Sequence, residues 1–82
     1  MKVAVRYFAS LREALGSGEA LDADAATVGA LRDALVARGG RYAEVMGRER
    51  AVRAARNLVL CAESTALAEG DEIGFFPPVT GG

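Results

Sequence analysis

Residues 27–40, TVGALRDALVARGG, are the one stretch that reads as a full amphipathic helix, and strand-like segments flank it on both sides. Thr27 is placed to cap the first free amides. Val28, Leu31 and Leu35 recur at helical spacing, and Gly39-Gly40 ends the run just after Arg38. A single apolar stripe needs one apolar surface to lie on, and the flanking strands supply it. Residues 2–8, KVAVRYF, alternate, with Val3, Val5 and Tyr7 on one face and Phe8 on the other. Residues 19–23 read as a weaker strand, joined to the first as a hairpin with a wide connection. Residues 52–62 hold one or two strand pieces, of which 57–61 is the clearer. The AEGDE run at 68–72 is a tight turn. Ile73–Phe76 form a last strand, halted by Pro77, which has no N–H to give to a ladder. Two shorter helical pieces complete the reading. Ser10 and Glu13 match a capping box for a turn ending near Gly16, and residues 41–47 add another turn. The expected class is α+β, a mixed sheet of four to five strands packed on one main helix.

Composition then removes whole classes of function. A chain of 82 residues makes one domain that buries only about 60% of its unfolded surface, which leaves little room for a deep cleft. Ten basic against eleven acidic side chains give no electrostatic reason to bind nucleic acid. Apolar runs such as Leu58–Ala62 are far too short to cross a bilayer, and a second charge at Arg6 interrupts any signal-peptide core. A cytoplasmic location is therefore expected, without membrane attachment. The lone Cys61 excludes an intramolecular disulfide, and its place in an apolar strand reads as an inert buried thiol. Histidine is absent, no zinc-ligand spacing occurs, and Gly39-Gly40 lacks the lysine of a phosphate loop. The chain is thus expected to bind no metal or cofactor and to carry no catalytic side-chain set of its own.

What remains is the end, FFPPVTGG. Two terminal glycines arise by chance in about 0.5% of chains at a glycine usage of about 7%, so the pair alone decides nothing. Its setting is more telling. Pro77-Pro78 favour an extended polyproline course away from the sheet, dividing a folded domain at 1–76 from a tail at 77–82. Gly81-Gly82 form the thinnest peptide available and tolerate φ of either sign, as a thread entering a narrow channel requires. A carboxylate on Gly82 is ionised at neutral pH and is a poor acyl electrophile until it gains a leaving group.

The element order, together with a strand running directly into Gly-Gly, resembles the β-grasp or ubiquitin-like superfamily. Within it, Leu67–Gly82, with its Gly-Asp-Glu turn and Phe-Pro-Pro-Val-Thr-Gly-Gly end, looks like the small, sulfur-carrying subunit of molybdopterin synthase. The N-terminal Val5–Glu13 segment looks like that family too. Arg56 departs from it, since the family often has an apolar residue and a tight Asn-Gly turn there. The resemblance implies that a ubiquitin-activating-type adenylyltransferase uses ATP to adenylate the Gly82 carboxyl. A sulfur donor protein then converts it to a thiocarboxylate. Val79, Thr80 and Gly81, following Pro77 and Pro78, thread it into a large catalytic subunit, where sulfur passes to cyclic pyranopterin monophosphate. Two small subunits on a dimer of large ones is the assembly implied. A carrier for thiamin synthesis or tRNA thiolation, or a protein modifier attached to lysines, are the competing functions. With Lys2 as its only lysine, the chain offers almost no acceptor for self-linked chains.

Strand parity also suggests a docking patch. Phe76 faces away from Ile73 and Phe75, Phe8 away from Tyr7, and Leu60 shares the side of Leu58 and Arg56. The expected partner surface is Phe76, Leu60 and Phe8, with Arg12 at its edge. Residues 41–56 hold five arginines against two glutamates, the mark of a solvated face, whereas from Asn57 onward there are four acidic side chains and no basic one. That asymmetry predicts a basic entrance on the partner.

Overall fold

The computed structural model describes residues 1–78. The thread expected at Val79, Thr80, Gly81 and Gly82 lies outside the described residues. Eight elements follow one another: β1 (Lys2–Tyr7), α1 (Ala9–Leu15), β2 (Gly18–Asp22), α2 (Val28–Val36), α3 (Gly40–Met46), β3 (Arg53–Arg56), β4 (Val59–Cys61) and β5 (Glu72–Phe76). The strands form one mixed sheet in the order β2-β1-β5-β3-β4. β1 and β5 run parallel, and every other pairing is antiparallel.

The core is the meeting of one sheet face with the helices. Val3, Val5, Tyr7, Ile73, Phe75 and Ala54 point inward from the central strands and pack with Leu11 of α1, Val28, Leu31 and Leu35 of α2, and Met46 of α3. At roughly 25 cal/mol per Å² of apolar surface removed from water, these side chains supply most of the driving force for folding. The Tyr7 ring meets Tyr42 edge-on at 6.5 Å, and its buried hydroxyl has no hydrogen-bond partner among the described residues. Burial and the neighbouring Tyr42 push its ionisation above the ordinary tyrosine range.

α2 begins as its sequence requires. The Thr27 hydroxyl accepts from the Ala30 amide at 3.1 Å. The Val28 and Gly29 amides donate to the Thr65 and Glu63 carbonyls of the β4–β5 connection. Three of the four free amides at the helix start are thereby satisfied. The helix stops at Val36, and Gly39 and Gly40, both at positive φ, turn the chain into α3.

Two local readings are corrected. Ser10 and Glu13 form no capping box. α1 starts at Ala9, its cap is Phe8, and no side chain closes that end, because the Phe8 carbonyl already accepts from the Leu11 and Arg12 amides. Residues 57–61 are not one strand. Asn57 and Leu58 have φ of 49° and 70° and form a two-residue hairpin turn, so Arg56 pairs with Val59 and Ala55 with Leu60. Leu60 therefore lies on the face of Ala55 and Arg53, not of Arg56, since a two-residue turn resets the alternation.

A second, polar centre ties the loops to α2. Arg32 is buried at 4% exposure, and its guanidinium donates to the carbonyls of Met46, Gly47 and Arg50 at 2.7–2.9 Å and to Glu63 at 2.7 Å. Arg48 joins the knot through Glu63 and Asp33. Burial alone would raise the Glu63 carboxyl, but its hydrogen bonds from Arg48 and Arg32 outweigh burial and hold it below the usual carboxylate range.

Candidate functional site

The outer face of the sheet collects the residues that parity marks out. The row Arg6–Gly74–Ala55–Leu60 crosses four strands, and the next position along pairs Phe76 with Arg53. Since cross-strand partners share a face, Leu60 and Phe76 point the same way. They meet, with Arg53 and Pro78, around one shallow hollow. Phe8 joins them by a different route. Its amide donates to the Phe75 carbonyl at 3.1 Å, extending the β1–β5 ladder by one residue, and Ala9 then turns the chain with a φ of 52°. The Phe8 ring comes to rest over Gly74, where an added Cβ would stand 2.8 Å from a ring carbon. Glycine inside a strand here marks the close approach of an aromatic ring.

Phe8, Leu60 and Phe76 thus occupy one face, half or more exposed at Leu60 and 40% exposed at Phe8. Leu58 at 85% and Val59 at 68% extend apolar surface along the hairpin and the edge strand. Arg12 is exposed on α1, one helical turn after Phe8, whose carbonyl accepts from its amide at 3.3 Å, which places it beside the patch. Alternation passes over Gly74 and Arg53. The signal for Gly74 is a glycine between two large apolar residues of a strand. For Arg53 it is the cross-strand register with Phe76, which exists only once the hairpin turn is known. Cys61 is half-buried and free, opposite Ala54, rather than sealed in the core.

Immediately beyond Phe76 the chain leaves the sheet. Pro77 and Pro78 are half-buried and outside any regular element. Pro78 borders the Leu60–Phe76 hollow, and Pro77 borders a second one walled by Ser10, Leu11, Val45, Arg50 and Ala51. The root of the tail is therefore seated on the domain, next to the apolar patch. The strand that leads to this root, β5, is bonded on both sides.

The charges near this root differ from the pattern read along the chain. Each of the four carboxylates after Asn57 has a partner within the fold. Asp71 accepts from Arg56, Asn57 and the Ala68 amide, and these hydrogen bonds, led by Arg56, hold its carboxyl down at about 2. Glu63 is held by Arg32 and Arg48, Glu69 accepts from the Lys2 amide, and Glu72 lies 4.0 Å from Arg6. By contrast Arg12, Arg41, Arg50 and Arg53 have no carboxylate partner among the described residues. No helix among them is long and apolar enough to cross a membrane.

This geometry has relatives. The chain is 40% identical over 81 residues to the molybdopterin synthase sulfur carrier subunit of Escherichia coli, covering 98% of this chain and 99% of that one. Among solved structures it resembles SAMP1 of Haloferax volcanii, at 36% identity and a TM-score of 0.77, with both chains covered completely. It also resembles a chain in the protein–protein complex of subunits 1 and 2 of the molybdopterin-converting factor from Helicobacter pylori, at 29% identity and a TM-score of 0.71, again over the full length of both. The ubiquitin-like β-grasp architecture and the resemblance carried by Leu67–Gly82 are both borne out. The ThiS family model matches residues 5–82, nearly the whole chain, and the protein belongs to the ThiS family.

Proposed function

We propose that this protein is the sulfur-carrier subunit of a molybdopterin synthase. One observation supports the reading above others: an apolar face of Phe8, Leu60 and Phe76 adjoins the point where the chain leaves the sheet. It does so in a chain 40% identical, end to end, to the Escherichia coli carrier. The face docks on the large catalytic subunit, a reading supported by the likeness to a chain in the Helicobacter pylori complex of subunits 1 and 2, with Arg12 at the rim. Pro77 and Pro78 direct the tail, and Val79, Thr80 and Gly81 carry Gly82 into the partner.

In this reading the reacting group is the Gly82 carboxyl and no side chain. A ubiquitin-activating-type adenylyltransferase joins it to AMP from ATP with release of pyrophosphate, sulfide-level sulfur from a donor protein displaces the AMP to give a thiocarboxylate, and this gives its sulfur to cyclic pyranopterin monophosphate while water restores the carboxylate. Acid–base groups come from the large subunit. The chain itself contributes a docking surface, a rigid exit strand and a slender tail, and it works in the cytoplasm.

A second reading is favoured by the likeness to SAMP1, the small archaeal modifier protein 1 of Haloferax volcanii. There the same terminus would be attached to lysines of other proteins. Intact mass of the chain taken from its native cells separates the two. A carrier shows a fraction with one oxygen replaced by sulfur, in company with a larger pterin-handling subunit. Recovery only in isopeptide linkage to other proteins would overturn the carrier reading. Deletion of Gly82 is expected to abolish sulfur transfer with fold and docking retained, and Phe76→Asp to weaken docking while the terminus remains chemically competent.

A further inference from the structure

The charge pattern along the chain calls for a basic mouth on the protein that receives the tail. The fold reverses that expectation. The four acidic side chains that suggested it are all engaged within the domain, while Arg50 and Arg53, which have no carboxylate partner among the described residues, wall the two hollows at the tail root. Glu49, the acidic neighbour of Arg50, turns its carboxylate toward the Gly47 backbone, where it would crowd any added Cβ. The surface around Pro77-Pro78 is therefore cationic on an apolar ground.

Reach settles what these arginines can meet. Four residues beyond Pro78 extend at most about 14 Å. When such a thread is fully inserted, its terminus is deep inside the receiving protein and Arg50 and Arg53 stand at the entrance. They face the rim of the channel, not the reacting carboxyl. Two unpaired guanidiniums closing against a protein surface are costly unless carboxylates meet them, and long-range attraction between such patches raises the rate of encounter.

We propose that the tail-receiving subunit presents an acidic rim to Arg50 and Arg53, and that this pair steers the tail into its channel. The proposal rests on the carrier reading above and adds to it the electrostatic character of the partner's entrance. The partner is a protein surface bearing Asp or Glu around an apolar contact for Leu60 and Phe76, irrespective of any basic groups deeper in the channel.

The test measures association of the full chain with its own large subunit, from low salt up to about 1 M, where charges are screened within about 3 Å. Three variants are compared: the double variant Arg50→Glu/Arg53→Glu, the milder Arg53→Gln, and Arg41→Glu, which changes one exposed arginine that lines neither hollow. The association rate of the unaltered chain is expected to fall with salt. The double variant should associate about tenfold more slowly at low salt and converge with the unaltered chain near 1 M. Arg53→Gln should lie between them, and Arg41→Glu should stay close to the unaltered chain. Thermal unfolding of each variant confirms that the fold is kept. Unchanged or faster association of the double variant would overturn the acidic rim, as would an equal effect per charge from Arg41→Glu, which would reduce it to net charge. If the unaltered chain fails to bind the large subunit at all, the carrier reading falls, and the rim falls with it.

Discussion

Arg32 and Arg53 come from a chain with ten basic residues, and they serve opposite ends. Arg32 is sealed beneath the α3–β3 connection, and all of its hydrogen bonds go to this chain's own carbonyls and to Glu63. Arg53 stands on the outer face beside Phe76 and Pro78, without a carboxylate among the described residues. One arginine holds loops in place, and the other is available to something outside. Identical side chains therefore report different things, and exposure together with partners, not residue type, tells them apart. Arg48 and Arg56 lie between these extremes, exposed at the tip but paired.

The contrast can be broken most forcefully at Arg32. Arg32→Met should leave the Met46 and Gly47 carbonyls buried without donors and cost about 3 kcal/mol. In a domain of this size that lowers Tm by more than about 10 °C, measurable by calorimetry. A small loss would mean that the knot is ornamental. Next comes the acid limb of stability. The Asp71 carboxyl is held at about 2, below its ordinary 3.8, so its contribution is complete above about pH 4 and disappears as pH falls through about 2. Asp71→Asn should flatten that part of the stability-versus-pH curve, and an unaltered acid limb would assign it to other carboxylates. Arg48→Ala removes an exposed arginine that holds Glu63 and Asp33, and should cost about 1 kcal/mol or less in urea unfolding, declining with salt. The smallest effect belongs to Arg53→Ala, within about 0.5 kcal/mol of the parent by the same measurement. A larger loss there would place Arg53 with the structural arginines and weaken its role at the tail root.

The sequence shows some of this directly. Apolar alternation in β1 and β5 and the helical stripe of α2 are local patterns, and each sends its side chains where the pattern points. Thr27 caps α2 for the same local reason. The misses are places where a distant contact or a turn intervenes. Ser10 looks like a cap, yet the Phe8 carbonyl takes the bonds because β1 delivers it there. The hairpin at Asn57-Leu58 is hidden because leucine seldom takes positive φ, and with it goes the correct face of Leu60. The outward placement of Leu60 survives this error, since the side chain is exposed on the outer face all the same. Charge proves least legible of all. Which carboxylates are neutralised is decided by contacts such as Arg56–Asp71 and Arg6–Glu72, whose partners lie far apart along the chain.

The central position of β5 has a mechanical consequence. Its ladders run to β1 on one side and β3 on the other, and the sheet is joined across it. A pull on the tail, directed along the strand, loads both ladders in shear at once. No edge is available from which the strand could be unzipped bond by bond. Anything that grips the chain beyond Phe76 would therefore pull against the whole sheet, with the domain behind it as a solid handle.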